Sequence, residues 1–439
     1  MLSDLSFTRK MAIPLGGPGC HIELHASQLK NKVTAFVLLA NLLVFGFGSA
    51  QAAVDPTDIN EAYARSLAGP GATVHVVSGS IQAAVNAAQP GDVIYVPPGL
   101  YAENVQVRTD HLTIVGPRTA VLDGTGLAGV NGIDVRPSAG VSELAGFSLV
   151  GLSVRDYARN GVFLRGVNGY QLLAGAYVNN AEYGLFPVRS KNGLIEGNEV
   201  SGSNDTGIYV GQSVGAVIRN NHAFDNTTGI EVENSLSVEV RGNRLTDNSI
   251  GLASFVLPGL SIPETSSLLI QGNFSFGNNR LNPVTDPDEL LSLVPSGVGM
   301  LFIGTDWVDL IGNQISGNGS LGVGLISLPP DLAAEDPRVD PFPDFNHFIG
   351  NWVVGNGLGP DPKLALLGLP PVDLLWDGSG QGNGWRDNTY RTSYPFDLPL
   401  APVPEPAGWM MLIVGIALLQ GGLRWTQNPR FSSAAAPVG

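Results

Sequence analysis

Three successive stretches read Tyr183-Gly-Leu-Phe-Pro-Val-Arg-Ser190, Thr206-Gly-Ile-Tyr-Val-Gly-Gln-Ser213 and Thr228-Gly-Ile-Glu-Val-Glu-Asn-Ser235. The same pattern begins at Asn160-Gly-Val-Phe-Leu164. Its glycines fall at Gly161, Gly184, Gly207, Gly229 and Gly251, spaced 23, 23, 22 and 22 residues. Each copy alternates apolar and polar residues with period two, which is a strand and not a helix. Short strands between Gly/Asn turns at this period stack into a solenoid. A second register runs between them: Asn198…Asn204, Asn221…Asn226, Asn243…Asn248, Asn273…Asn278, Asn313…Asn318 and Asn351…Asn356. The predicted fold is all-β: a right-handed, single-stranded parallel β-helix of about ten coils with a short N-terminal capping helix.

Both ends carry processing patterns. Lys30 and Lys32 precede an apolar run from Val33 to Gly48, followed by small residues to Ala53. Residues 1–53 therefore read as an export signal with a long n-region, the alternative being an N-terminal membrane anchor. The single cysteine, Cys20, would leave with it, so the mature chain holds no thiol or disulfide. At the other end, Pro404-Glu405-Pro406 precedes an apolar run to Leu419 with Arg424 and Arg430 beyond. This order resembles the PEP-CTERM sorting signal of Gram-negative bacteria, which implies an exosortase-type processing enzyme as partner; an ordinary single-pass anchor is the alternative. Residues 401–439 form this tail and 54–400 the β-helix domain. The reading places the body outside the cytoplasm, at the cell surface, outer membrane or extracellular matrix, touching membrane only through its terminal segments.

Net charge is −15, and Lys191 and Lys363 are the only lysines of residues 54–400. Such a surface repels a phosphate backbone and excludes nucleic acid as a partner. It fits neutral sugars or calcium, and fits polyuronates only where a cation bridges them.

Ser80 can cap a helix that sets Ile81, Ala84, Val85 and Ala88 on one face, ended by Pro90-Gly91 before a strand at Val93–Val96. This passage resembles the N-terminal cap of pectin-lyase-fold proteins, over roughly residues 75–400. The whole body also resembles secreted parallel β-helix repeat proteins of unknown function, through 183–188, 207–213, 229–235 and Leu374-Leu-Trp-Asp-Gly378. Where two repeats would take about 45 residues, 48 separate Gly251 from Gly299. Residues 281–297 and 328–345 are expected to bulge from one corner of the coil. Pro370–Gly378 is expected to close the far end, and 395–404 to form a Pro-rich linker.

Strand alternation sends Val162, Leu185, Ile208 and Ile230 inward with Leu164, Val210 and Val232. Phe163, Phe186, Tyr209 and Glu231 then form an outward column. Arg165, Val188, Gly211 and Glu233 lie beside it, followed by Arg189, Gln212 and Asn234. At about 4.8 Å per coil, three stacked rings would make a strip about 10 Å long, near two sugar units. Rings meet sugar C–H faces, and Arg, Gln, Asn and Glu meet hydroxyls. As an exposed ring, Tyr209 is expected to be replaceable without loss of folding. Glu231 and Glu233 share a strand face; such a pair can work as acid and base, bind calcium, or stand as two solvated charges. No other metal or cofactor is expected. Ser213 sits in Gly211-Gln-Ser-Val-Gly215 but in register with Ser190 and Ser235, which makes it part of a turn ladder and not a nucleophile. Stacked asparagines bond along the coil axis, and Glu196, Arg219 and Arg241 form a surface column. His75, His111, His222 and His347 lack metal-ligand spacing. The function read from these features is non-catalytic binding of extracellular polysaccharide. A polysaccharide hydrolase, lyase or epimerase, and a purely structural surface protein, are the alternatives.

Overall fold

Period-two alternation and periodic glycines produce two long parallel sheets. The computed structural model describes residues 54–284, 292 and 294–401. Among them, sheet A has 20 strands and sheet B has 11. Sheet B is made of the motif strands, among them Asn160–Arg165, Tyr183–Val188, Thr206–Gly211 and Thr228–Glu233. They stack in parallel with Leu185, Ile208, Ile230 and Leu252 aligned from coil to coil. Val162, Leu164, Leu185, Ile208, Val210, Ile230 and Val232 are all fully buried, as alternation requires. The repeat glycine is fixed by coil spacing. A Cβ on Gly184, Gly207 or Gly229 would lie 2.8, 2.9 or 2.6 Å from the carbonyl of the next coil's glycine. The chain is a right-handed parallel β-helix.

Sheet A supplies the other two walls as pairs of three-residue strands, such as Leu194–Glu196 and Glu199–Ser201. The corner between them is held by an asparagine ladder. Asn198, Asn221, Asn243, Asn273, Asn313 and Asn351 each donate Nδ2–H to the next Oδ1 at 2.9–3.0 Å, ending on Asn388. Each amide is thus paired inside the core, where an orphan would be costly. A second ladder runs Asn226, Asn248, Asn278, Asn318, Asn356 to Asp373. Asn204 is not in it. The Ser203 amide takes that position, donating to Asn226 Oδ1, while Asn204 is exposed. Ser190, Ser213 and Ser235 form the expected turn ladder. Arg219 pairs with Glu196 at 2.7 Å, whereas Arg241 turns to Glu239.

Helix α1 (Glu61–Leu67) packs with Ile59 and Ala64 on Val93, Tyr95, Val115 and Val150, in a segment without a clear sequence signal. Helix α2 (Ile81–Ala87) is the expected cap, with Ile81 and Val85 buried and Ser80 Oγ accepting from the Ala83 amide. Glu103 reinforces it, accepting from the Ile81 and Gln82 amides at 2.8 and 3.0 Å. Pro370–Gly378 is no lid. It contains the sheet B strand Leu374–Trp376, and Ser393–Tyr394 stacks after it.

The interval from Gly251 to Gly299 is one coil, not two, because Ile250 pairs directly with Val298. Its length comes from two insertions, about 256–265 and 279–297, at opposite edges of sheet B. The coil from Leu321 to Leu374 repeats the arrangement with 327–346 and 357–372. Insertions therefore rise on both edges and not from one corner. On the C-terminal half of the outer face, their residues Val294, Leu369 and Val372 pack with Ile250, Ala253, Val298 and Leu321. The export signal, Cys20 and the Pro404-Glu405-Pro406 tail lie outside the described residues. Among those described, no helix is long and apolar enough to cross a membrane.

Candidate functional site

The chain bends at each repeat glycine, so the residue before the glycine faces outward together with the residue three positions later. Tyr183 thereby stacks on Phe186 at 4.3 Å between centroids. Phe186 meets Phe163 at 5.6 Å and Tyr209 at 4.5 Å, and Tyr183 meets Tyr209 at 5.3 Å. The column Phe163, Phe186, Tyr209, Glu231 exists as expected, but it is not an open strip. Tyr209 is 4% exposed and Glu231 5%, while Phe163, Phe186 and Tyr183 are half-buried. Neighbouring rings and the adjacent carboxyls close over Tyr209.

Asn234 is corrected more sharply. It is fully buried, donating to the carbonyls of Leu257 and Ile262 and accepting from the Leu257 amide, so it pins the first insertion and is closed to a ligand. Gln212 accepts from Arg189 Nε at 3.1 Å and from Ser261 Oγ at 3.0 Å, linking that loop to the outer face.

Three carboxyls meet at the closed end of the aromatic tier. Thr206 Oγ1 lies 2.6 Å from Glu231 Oε2 and 3.1 Å from Asp205 Oδ1. Asp205 also reaches the Tyr183 hydroxyl, and Glu233 the Tyr209 hydroxyl. Burial first, then the charges of Asp205 and Glu233, push the Glu231 carboxyl well above the ordinary carboxylate range. Burial raises Glu233 to about 7, against the lowering effect of its bond from Tyr209. The Tyr183 and Tyr209 hydroxyls are driven up by burial and by these acids. The single Thr206 hydroxyl hydrogen can serve only one of its two carboxyl neighbours. Thr206 is placed to donate to either carboxyl, and its bond to Glu231 works against the upward push of burial. The site thus sets two raised carboxyls, Glu231 and Glu233, beside a third, Asp205, a kind of arrangement in which acid–base chemistry is found.

At the N-terminal end, Asp134 binds Arg136 and Arg108 at 2.6 and 3.0 Å, and Arg136 lies 5.7 Å from the Phe163 ring centroid. Arg165 and Arg189 stand exposed beside the rings, and neither joins an ion pair among the described residues. Sequence reasoning missed Tyr183, Asp205 and Thr206, because simple alternation from Leu185 and Ile208 assigns Tyr183 and Thr206 inward. The bend at glycine reverses that assignment.

Residues 104–289, somewhat less than half of the chain, match the family described as periplasmic copper-binding protein (NosD). Copper favours imidazole and sulfur ligands. That span contains no cysteine or methionine, and its two histidines, His111 and His222, lie on different coils. Among the described residues, no three His, Cys, Asp or Glu side chains are grouped to hold a metal. The residues present do not fit a copper site. No curated protein sequence matches the chain. Among solved structures, the chain is similar to a periplasmic alginate epimerase at 15% identity, covering 69% of this chain and 76% of that one with a TM-score of 0.48. It is similar to the A-module of the Azotobacter vinelandii mannuronan C-5 epimerase at 19% identity, covering 78% and 98% with a TM-score of 0.47. It is similar to DFA-IIIase from Arthrobacter chlorophenolicus A6 at 14% identity, covering 71% and 93% with a TM-score of 0.46. At these identities the likeness concerns the β-helix fold alone.

Proposed function

We propose that this is an exported protein that binds an acidic polysaccharide along the outer face of sheet B, from Phe163 to Glu233. The observation that carries the reading is the pair of exposed, unneutralised arginines, Arg165 and Arg189, beside half-buried rings on a protein of net charge −15. Arginine matches a sugar carboxylate in geometry and charge, and Phe163, Phe186 and Tyr183 offer faces to sugar C–H groups. The periplasmic family matched by residues 104–289 supports export. Replacing both arginines by glutamate should weaken binding of a polyuronate, such as oligogalacturonate, more than tenfold, and the remaining affinity should lose its salt dependence. Unchanged affinity in the double variant would falsify the reading.

A second reading has its own observation, the raised Glu231 and Glu233 beside Tyr209. In an enzyme that cleaves or epimerises the bound chain, Glu231→Gln would remove turnover and leave binding largely intact. In a binding protein, neither the parent nor the variant would release reducing ends or unsaturated sugars.

A further inference from the structure

The wall of sheet A that follows sheet B in each coil holds an aromatic feature that the sheet B face does not use. At the entry to the first strand of sheet A, successive coils place Asn192, Gly215, Ser237 and Ser267 in left-handed conformation, with φ between 52° and 74°. Those residue types tolerate that backbone. The next two coils place Trp307 and Phe345 there instead, at φ 53° and 56°. Large aromatics are unfavourable in this region of backbone space, and such outliers are enriched at binding sites. The two rings stack at 4.5 Å with an interplanar angle of 16°, and Trp307 remains 54% exposed. The following coil puts Gly382 at the same corner, where any Cβ would overlap the Phe345 ring, so the coil below is shaped around the stack.

The rings form one side of a surface hollow of about 420 Å³, with Leu269, Asp309 and His347 on the other. Asp309 Oδ1 lies 3.2 Å from His347 Nδ1, leaving further acceptor positions on the carboxylate for a ligand. No lysine or arginine lines the hollow. Beside it stand Asp306, Asp340 and Asp344, none of which pairs with a lysine or arginine among the described residues. Their mutual repulsion, with burial as the larger cause, raises the Asp306 carboxyl to about 6. This surroundings rejects an anion as firmly as Arg165 and Arg189 attract one.

We infer that the Trp307–Phe345 hollow is a second saccharide subsite, selective for a neutral hexose ring that stacks on Trp307 and gives hydroxyl hydrogens to Asp309. A glycan chain carrying neutral and acidic sugars could then be held on two walls of the same solenoid. The test is titration of the full chain with cellohexaose, maltohexaose and oligogalacturonate, read by tryptophan fluorescence and calorimetry. At least one neutral hexasaccharide should bind, and Trp307→Ala and Asp309→Asn should each weaken it fivefold or more. Trp352→Ala, which removes an exposed tryptophan from a separate hollow, should leave it unchanged. Binding of neither neutral hexasaccharide, stronger binding of the uronate through Trp307, or loss with Trp352→Ala but not Trp307→Ala would each overturn the inference. Because Arg165 and Arg189 lie several coils away from Trp307 along the stack, their double variant should not alter neutral-sugar binding. The two assignments therefore fail independently.

Discussion

Glu233→Gln tests whether the carboxyl cluster is what its geometry implies. Glu233 titrates near 7 in the folded chain against 4.5 for a free glutamate, because folding takes it out of water. Between those values the folded chain keeps a proton that the unfolded chain has released, so stability falls as pH rises. At 1.36 kcal/mol for each tenfold change in ionisation constant, the loss approaches about 3 kcal/mol once pH exceeds 7. Glutamine keeps the shape and still accepts the Tyr209 hydroxyl hydrogen, but it carries no charge to bury. Urea unfolding of parent and variant should therefore nearly coincide at about pH 4, where both side chains are neutral. At about pH 8 the variant should be more stable, by an amount approaching that 3 kcal/mol. Glu231→Gln should act in the same direction, because its carboxyl is raised by the same burial. A variant that is less stable at both pH values, or a difference that does not change with pH, would show that Glu233 is solvated and ordinary. A carboxyl that weakens the fold at neutral pH is more characteristic of a working site than of a scaffold.

Asn243→Ala should destabilise the coil stack by roughly 3 kcal/mol or more. It leaves the Asn221 backbone amide and one of the two Asn221 Nδ2 hydrogens without an acceptor, the other staying on the Ile195 carbonyl, and takes the Asn243 side-chain donor from the Ile218 carbonyl, at about 1–3 kcal/mol for each orphaned group. Asn204→Ala, outside the ladder, should change denaturant unfolding by less than about 0.5 kcal/mol. Equal effects would refute the ladder's role. Tyr209→Ala should cost about 3 kcal/mol or more of stability, since the ring is buried against Phe186 and Tyr183. This reverses the sequence expectation of an exposed, dispensable ring, and a stability within about 1 kcal/mol of the parent would restore that expectation.

The parts of the fold that sequence reveals are those where one rule acts on every coil. Alternation places Val162, Leu185, Ile208 and Ile230 correctly because each sits mid-strand, where successive Cβ atoms must point to opposite faces. The glycine period is equally legible, since coil spacing leaves no room for a Cβ. Alternation fails beside those glycines: the bend at Gly184 and Gly207 turns Tyr183 and Thr206 outward, and with them comes Asp205. The missing members of the candidate site are therefore its residues nearest the bend. Insertions fail for a different reason. A 48-residue interval closely mimics two repeats, and only the pairing of Ile250 with Val298 shows one coil carrying two loops. Those loops, through Leu257 and Ile262, convert Asn234 from an apparent ligand contact into an anchor. Net charge is an average over the surface. A net charge of −15 argues against an acidic ligand only if the charge is evenly spread. Recognition is governed by what lies within about a Debye length, roughly 8–10 Å. At that range Arg165 and Arg189 dominate one side of the aromatic tier, while Asp306, Asp340 and Asp344 dominate the hollow at Trp307. Under the proposed reading, the same acidic chain presents a cationic margin on sheet B and an anionic one on sheet A, and each would take a different sugar.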